Sequence, residues 1–219
     1  MKPIIIIPCY NDNNFIDILI QKISYQYDLD ILVIDDGSDC VLGVDDPSAG
    51  IIVLRNEVNK GKGHSLRRAF RYAIDKNYTH AVTLDADLQH DPKYIQEFID
   101  IDDNVDIVIG RRDFNSEMPI LRRFSNKITS YIASKMTGKS ILDSQSGYRR
   151  YKLGEKKYSC IEDGFQFETE ILINRLKGTD ERVEHVSIST VYNNEKSSIN
   201  NTLDTYKFIK MILRKIFKD

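Results

Sequence analysis

The sequence lacks the features that mark secreted and membrane-spanning chains. Its three cysteines, Cys9, Cys40 and Cys160, lie far apart and without metal-ligand spacing, so we expect a reduced, cytoplasmic protein. No segment reaches the roughly 18 apolar residues of a membrane span. The N-terminal run Ile4–Ile7 ends at Pro8 and is too short for the apolar region of a signal peptide.

The sequence also lacks a charge excess of either sign. Lys and Arg total 31, Asp and Glu total 33, and the net charge is −2, so nothing in the overall charge favours nucleic acid as a partner. The four histidines are scattered, and none belongs to a zinc-binding pattern. Apolar residues make up 41% of the 219 residues, which is enough for one well-buried domain.

Strand and helix patterns alternate through the chain, most regularly in its first half. Short β-branched runs predict strands at Pro3–Ile7, Asp30–Ile34, Ile51–Leu54, His80–Leu84, Val105–Ile109, Gly147–Tyr151 and Val183–Ile188. Helical spacing predicts helices at Asn14–Tyr27, Gly63–Lys76, from Pro92, Leu121–Met136, Phe165–Leu176 and Leu203–Phe217. This rhythm predicts an α/β fold with a doubly wound, mainly parallel sheet flanked by helices.

We expect one domain over residues 1–202 and an amphipathic basic helix over residues 203–219. Apolar residues lie on one side of this helix, namely Leu203, Tyr206, Ile209, Ile212, Leu213, Ile216 and Phe217, and basic residues on the other. Such a helix can lie on an anionic membrane surface. Packing against the domain core or against a second subunit are the alternatives.

The most informative segment, Asp85–Pro92, follows the predicted strand His80–Leu84. Open α/β sheets bind ligands beyond the carboxyl ends of their strands. Asp87 and Gln89 offer oxygen ligands for Mg²⁺ or Mn²⁺, and Asp85 can contact a sugar or the water shell of the metal. A cation held there could neutralise a diphosphate. The alternative is a capped helix start at Asp91-Pro92.

Two further strand ends carry groups suited to a nucleoside. The ring of Tyr10 could stack on a base, and the polar groups of Asn11 and Asp12 could bind its edge. Asp36 could accept a hydrogen bond from a ribose hydroxyl. Ordinary turns, with Asn or Asp capping a helix, explain the same residues without a ligand.

Basic residues lie in other loops that are predicted to reach the same edge of the sheet. Lys62 lies in the glycine-containing segment Asn59–Gly63 before a helix, where its charge could contact the nucleotide, although the spacing is not that of a P-loop. Arg111 or Arg112, after a strand, could grip a phosphate. In the segment Asp143–Arg150, Asp143 is the candidate general base and Arg149 a candidate phosphate partner. Solvated loops and a polar turn are the alternatives for these segments.

Six of these segments occur together in one order, and as a set they resemble family 2 glycosyltransferases of the GT-A fold. They are Pro8/Tyr10/Asn11, Asp35-Asp36-Gly37-Ser38, Asn59–Gly63, Asp85–His90, Gly110/Arg112 and Asp143–Arg149. The resemblance spans about residues 3–210 and is nearest to the dolichyl- or polyprenyl-phosphate sugar synthase branch.

The resemblance implies an inverting transfer of a sugar from a nucleotide sugar to an acceptor. It implies that Pro8, Tyr10, Asp12 and Asp36 hold base and ribose. It implies that Asp85, Ala86 and Asp87 lie at the diphosphate. It further implies that Asp87 and Gln89 bind the metal and that Arg112 faces a donor or acceptor phosphate. UDP- or GDP-linked donors and Mg²⁺ or Mn²⁺ would be the ligands.

The sequence departs from the family pattern at two places. Asp12 stands where the family usually has Glu, which shortens the side chain by one methylene. In segment 192–199, Tyr192 occupies an Arg position and Ser198 a Lys position of the phosphate- or acceptor-binding loop, and Lys196 is a possible substitute for the lost charge. This puts transfer of mannose to a lipid phosphate in doubt, but not glycosyl transfer itself.

The sequence leaves the acceptor open between a polyprenyl phosphate and a lipid-linked or saccharide hydroxyl. A nucleotidyltransferase and a non-catalytic nucleotide-binding subunit are the competing functions. A homodimer and peripheral contact with the inner face of the membrane are open as well.

Overall fold

The computed structural model describes residues 1–44, 46–113, 120–154, 158, 160–189 and 201–217. Its seven strands form one sheet in the order β3-β2-β1-β4-β6-β5-β7. The strands are β1 Pro3–Cys9, β2 Ile31–Asp35, β3 Ile51–Arg55, β4 His80–Thr83, β5 Ile107–Arg112, β6 Arg149–Lys152 and β7 Val183–Ile188. Only β6 pairs antiparallel with its neighbours, so the predicted mainly parallel sheet is confirmed.

Six α-helices connect and flank the described strands. They are α1 Asn13–Gln26, α2 Lys62–Asp75, α3 Ile95–Asp100, α4 Ile120–Thr137, α5 Phe167–Leu176 and α6 Asn201–Phe217. Most of these bounds lie within two residues of the predicted ones. The helix expected from Pro92 begins instead with the 3₁₀ turn Pro92–Tyr94, and regular α-helix starts at Ile95.

Both faces of the sheet are covered, as β1 illustrates. Ile5 and Ile7 pack into one apolar cluster with residues of α1 and α3, while Ile4 and Ile6 pack into a second cluster with α2 and α5. Successive side chains of a strand point to opposite faces, so a continuous apolar run is what a doubly covered strand requires. All four isoleucines are fully buried.

Helix α6 packs on the domain through a face that shares only Ile212 with the expected apolar side. Met211 and Ile212 lie in a small cluster with Ile173 of α5, and Phe208 packs against it. Arg214 and Lys215, expected on a solvated basic face, are instead paired with the buried carboxylate of Glu170. Within the described part of the chain, no helix combines the length and apolarity that crossing a membrane requires.

Candidate active site

The loops that follow the parallel strands meet at one edge of the sheet, which is where such folds bind ligands. Cys9 of β1 is in register with Asp35 of β2, and Asp35 with Arg55 of β3. Strand β6 runs the opposite way, and its first residue, Arg149, pairs with Thr83 at the end of β4. The residues that precede β6 therefore reach the same edge, which brings segment 143–148 to Asp85.

The first two loops, expected to bind the nucleoside, are joined by hydrogen bonds. The backbone N–H of Asn11 donates to Ser38 Oγ at 2.9 Å, and Asn11 exchanges side-chain and backbone hydrogen bonds with Asp39. Asn11 adopts a left-handed conformation with φ 59°. The ring of Tyr10 beside it is 44% exposed, so its face is accessible to a planar ligand.

Pro8 and Asp12 flank this turn. Pro8 pairs with Ile34 of β2, but the ladder with β4 has already ended at Ile6, so its missing N–H costs no bond on that side. Asp12 stands at the N-cap position of α1, yet its side chain makes no capping hydrogen bond. The helix-capping alternative considered for Asp12 is therefore not the arrangement found.

Asp36 is nearly fully buried and shapes the glycine loop. Its carboxylate accepts hydrogen bonds from the backbone N–H groups of Lys60 and Gly61, at 3.0 and 2.7 Å, and from Asn56 Nδ2 at 2.7 Å. A carboxylate has about four lone-pair sites. Asp36 thus holds the loop before α2, and a contact with ribose would have to use its remaining acceptor capacity.

Lys62 is held by two carboxylates at the floor of the site. Its Nζ lies 2.6 Å from Asp85 Oδ1 and 3.2 Å from Glu168 Oε1. Burial alone would raise the pKa of Asp85, but the surrounding basic side chains, Lys62 first among them, together lower that pKa below its ordinary value. Burial raises the pKa of Glu168. Lys62, expected to contact the nucleotide, is therefore engaged in fixing Asp85.

The metal-binding turn that was expected at Asp87 and Gln89 has an unusual backbone. The N–H of Gln89 donates to Asp87 Oδ1 at 3.0 Å, and Leu88 between them has φ 59°. A leucine in the left-handed region is uncommon and marks a constrained turn. Ala86 is buried in the core, so its methyl group does not face the expected diphosphate site.

Asp87, unlike Asp85, is disfavoured in its ionised form. Burial, together with the nearby carboxylate of Asp85, raises the pKa of Asp87 to about 6. Within the described ranges, no three His, Cys, Asp or Glu side chains converge as a metal cluster. Mg²⁺ commonly takes one or two protein carboxylates plus substrate phosphates. Two close carboxylates with unfavourable mutual charge fit such a cation, with Asp87 and Gln89 as the residues that would hold it.

Asp143, the candidate general base, is fully buried and saturated with donors. Arg112 donates to it from Nε at 2.8 Å, from Nη2 at 2.9 Å and from its backbone N–H at 3.2 Å. Asn126 Nδ2 adds a further bond at 2.8 Å. Although burial raises the pKa of Asp143, the Arg112 contacts lower it overall. This geometry suits a residue that orients Arg112 better than one that takes a proton.

Arg149 is also fully enclosed. Its guanidinium donates to the backbone carbonyls of Ser144, Ser146 and Glu168 at 2.5–2.7 Å. The expected contact with phosphate would require these bonds to break, because the side chain has no exposed surface. Arg149 instead ties segment 144–146 to α5. Ser198, the remaining expected acceptor residue, and the loop around it lie outside the described residues.

Two residues join the site that sequence reasoning had not singled out. Glu168 lies on the core-facing stripe of α5 with Ile171 and Leu172, and an acidic residue in such a stripe is the one signal that could have drawn attention to it. The buried ring of His90 accepts a hydrogen bond from the Asp85 N–H through Nδ1 at 3.3 Å. Burial lowers the pKa of His90 to about 4, so it is neutral and steadies the acidic turn.

The fold and the site together define a GT-A glycosyltransferase. Solved structures of glucosyl-3-phosphoglycerate synthase from Mycobacterium tuberculosis share the fold. The complex with UDP superposes with a TM-score of 0.73 at 18% identity, covering 98% of this chain and 79% of that one. The complex with Mn²⁺ and UDP-glucose gives a TM-score of 0.71 at 15% identity, with coverage of 98% and 78%.

The chain belongs to glycosyl transferase family 2, whose family model matches residues 4–175. It is 27% identical to protein MJ1222 of Methanocaldococcus jannaschii, over 97% of this chain and 92% of that protein. It is 29% identical to the UDP-N-acetylglucosamine–dolichyl-phosphate N-acetylglucosaminyltransferase of Methanococcus voltae, covering 67% and 68%. It is 27% identical to the undecaprenyl-phosphate mannosyltransferase of Micrococcus luteus, covering 69% and 67%.

Proposed function

We propose that this glycosyltransferase moves a sugar from a nucleoside-diphosphate donor to a polyprenyl phosphate, with inversion at the anomeric carbon. The observation that carries the choice of acceptor is the enclosure of Asp143 by Arg112 and Asn126. A hydroxyl acceptor needs a base, whereas a phosphate is already anionic and can attack without one. The polyprenyl-phosphate acceptors in the names of two relatives support the same choice.

In this proposal the residues of the site divide the work. Tyr10, Asp12 and Asp36 bind base and ribose, and the backbone of Ala86 approaches the diphosphate. Lys62 keeps the Asp85 carboxylate ionised, and His90 holds the backbone of Asp85 in place. A divalent cation on Asp87 and Gln89 would neutralise the charge that develops on the departing diphosphate. Arg112, oriented by Asp143, presents its guanidinium to a phosphate.

Attack on the face opposite the leaving group inverts the anomeric configuration. The acceptor phosphate approaches from that face, and the nucleoside diphosphate leaves towards the acidic turn. Glu168 is buried, and Lys62 and Asp85 are only partly exposed, so their charges lie in a setting of reduced dielectric constant, where fixed groups stabilise developing charge best. A lipid acceptor would bring the chain to a membrane surface as a peripheral protein.

A hydroxyl acceptor is the second candidate, and the observation that favours it is the raised pKa of Glu168. A carboxylate with a raised pKa beside the site is a better base than Asp143. The two candidates differ in the acceptor they use, so they can be separated by assay.

The test is a donor and acceptor screen. A thermal-shift screen of UDP, GDP, CDP and TDP with Mg²⁺ or Mn²⁺ first identifies the base, because a ligand that binds only the folded state raises the melting temperature. Matching nucleotide sugars are then incubated with polyprenyl phosphate or polyprenol. Sugar–lipid phosphate and free nucleoside diphosphate are the expected products. Transfer to polyprenol or saccharide alone, or release of pyrophosphate, would overturn the proposal.

A further inference from the structure

The first turn of α2 and the loop before it pack tightly against residues 161–163, which we call the capping segment. A Cβ at Gly63 would lie 2.6 Å from the carbonyl oxygen of Glu162. A Cβ at Gly61, whose φ is 94°, would collide with the carbonyl oxygen of Asp163. Both obstacles are main-chain atoms, so a larger residue at either position would push the two segments apart. The two glycines therefore allow a close contact within the chain.

Hydrogen bonds fix the capping segment to the start of α2. The carbonyl of Asp163 accepts the backbone N–H of Gly63 at 2.6 Å and, more weakly, that of His64 at 3.4 Å. Arg67, one turn further along, donates from Nη1 to the carbonyl of Glu162 at 2.6 Å and pairs with the carboxylate of Asp163. The first N–H groups of a helix have no partner within the helix. Here the capping segment supplies one.

The buried carboxylate of Glu170, on α5, holds the capping segment from the other side. Its Oε2 accepts the backbone N–H groups of Ile161 and Glu162 at 2.9 and 2.8 Å. Its Oε1 lies 2.7 Å from Arg214 Nη2 and 3.3 Å from Lys215 Nζ of α6. A carboxylate offers about four lone-pair sites, so these contacts use its acceptor capacity. Glu170 is therefore built to hold its neighbours in place.

Helix α6 makes this arrangement possible. An ionised carboxylate without exposed surface is costly unless it is paired. Arg214 and Lys215 provide that pairing for Glu170, and Arg214 Nη1 also lies 3.0 Å from Glu162 Oε1. The same arginine thus binds both the carboxylate that holds the capping segment and a side chain of the segment itself.

The capping segment determines where Lys62 lies. Lys62 is the first residue of α2, directly before Gly63, whose N–H is tied to Asp163. Its Nζ lies 2.6 Å from Asp85 Oδ1, and 5.8 Å from the ring centre of Phe165, which follows the capping segment. A displacement of the capping segment would therefore move the ammonium group away from Asp85.

We propose that Glu170 is a positioning residue for the donor site. By holding the capping segment against α2, it fixes Lys62 beside Asp85, at the place where the donor diphosphate binds. The inference rests on the proposed function for that location of the diphosphate. A shift of about 1 Å in a group that positions substrate can cost about a hundredfold in rate, so a residue that does not touch the donor can still govern its binding.

Steady-state kinetics of Glu170 variants test the proposal. Glu170→Ala removes all of these contacts, so the KM for the nucleotide sugar should rise about tenfold, while kcat and the acceptor KM change by less than about threefold. A variant that only lost folded protein would show a lower kcat and an unchanged donor KM. Glu170→Gln retains one oxygen for the two N–H groups of the capping segment and should restore part of the donor affinity.

Glu181→Gln is the matched control. Glu181 Oε2 lies 2.8 Å from Nε of Arg175, a residue of α5 like Glu170, and the Arg175 side chain is almost fully buried. The control breaks an ion pair of the same helix at a distance from the capping segment. Its donor KM should equal that of the wild type, and melting temperatures compare the stability of the two variants.

Two further measurements locate the effect. Native-state hydrogen exchange needs no donor: in Glu170→Ala the amide of Gly63 should exchange at least about tenfold faster, while amides of β1 keep their protection. Calorimetry with the nucleoside diphosphate tests whether Glu170 acts through Lys62. If it does, the two losses do not add, and Lys62→Met/Glu170→Ala should bind within about twofold of Lys62→Met alone.

The outcomes are distinct. A raised donor KM together with faster exchange at Gly63, both absent from Glu181→Gln, supports the proposal. A fall in kcat alone, unchanged exchange at Gly63, or additive losses in the double variant would overturn it. Failure of the wild-type chain to bind any nucleoside diphosphate would overturn the proposed function, whereas unchanged exchange at Gly63 overturns only the role of Glu170. The two failures are therefore distinguishable.

Discussion

Asp143 receives the guanidinium of Arg112 in bidentate geometry, with Nε 2.8 Å from Oδ2 and Nη2 2.9 Å from Oδ1. The pair joins the end of β5 to the segment before β6. Two parallel hydrogen bonds fix the plane of the guanidinium, which a single contact would not do. The orientation of Arg112 is therefore set before any phosphate arrives.

Asp143→Asn should lower the affinity for phosphate-bearing ligands because Arg112 loses its charged partner, while the shape of the pH–rate profile should stay the same. A buried charge pair broken on one side also costs about 3–5 kcal/mol of folding stability. Kinetics across pH and denaturant unfolding measure the two effects. Loss of the acidic limb of the profile, where a general base becomes protonated, would instead make Asp143 the general base.

Asp87→Asn should abolish transfer and metal-dependent nucleotide binding while stabilising the fold. Burial and the Asp85 carboxylate disfavour the ionised form of Asp87, whose pKa is raised to about 6 from 3.8. The folded state therefore holds this proton more tightly, and stability is lost as pH rises between those values. Removing the charge of Asp87 should raise the free energy of unfolding by about 1–3 kcal/mol at pH 7.

Calorimetry with Mn²⁺ and nucleotide, beside a melting curve, checks both parts of the Asp87 prediction. Glu97→Gln, at an exposed acid of α3, is the control and should leave nucleotide binding intact. Full transfer activity of Asp87→Asn would contradict the assignment of Asp87 to the cation.

Lys62→Met should destabilise the fold by about 1–3 kcal/mol, because the buried Glu168 and the partly exposed Asp85 would lose their shared cation. Adding Glu168→Gln should restore part of that loss, since one of the two uncompensated charges disappears. Urea unfolding measures both variants. Lys60→Met, in the same loop but exposed, should change stability by less than about 0.5 kcal/mol.

Gly147→Ala should impair donor binding. A Cβ at this position would lie 2.6 Å from Asp85 Oδ2 and 3.0 Å from Lys62 Nζ, so the salt bridge would have to shift. The shift would displace the Asp85 carboxylate, which begins the acidic turn. Nucleotide affinity measured by calorimetry should fall at least about tenfold, as for a displaced charge-assisted contact. Gly43→Ala, whose Cβ would meet nothing within 4 Å, should bind normally.

His80→Gln should flatten the acid side of the stability profile. Burial lowers the pKa of His80 to about 4 from 6.5, because the ring lies at the start of β4. The unfolded chain then binds the extra proton in that interval, so stability falls as pH falls from 6.5 to 4. Urea midpoints measured across this range should vary less in the variant. An unchanged slope would mean that other groups determine it.

The sequence predicted which loops meet at one edge of the sheet, but it did not predict how their side chains pair. Asp36, Asp85 and Arg112 follow β-branched runs, and parallel strands bring such positions to one edge. The fold class follows from the alternation of strand and helix patterns along the sequence. The enclosure of Arg149 could not be inferred, because one of its partners, the carbonyl of Glu168, lies 19 residues away in another element.

Helix α6 shows a second limit of sequence reasoning. Its periodicity placed Ile212 with the exposed residues Tyr206 and Leu213, yet Ile212 packs inward with Met211. A helix with two apolar stripes gives one pattern that fits either orientation. The observed orientation is the one in which Arg214 and Lys215 form ion pairs with the buried carboxylate of Glu170. That carboxylate belongs to α5 and cannot be located from the periodicity of α6.

The unequal placement of the three cysteines makes the turn at Ser38–Asp39, which we propose lies beside the nucleoside, open to selective chemical labelling. Cys9 is buried at the end of β1, and burial raises the pKa of both Cys9 and Cys160 to about 12, so their thiols stay protonated and unreactive at neutral pH. Cys40 is exposed and follows the Ser38–Asp39 turn. A maleimide dye would therefore attach at that single position and report on nucleotide arrival without any engineered cysteine.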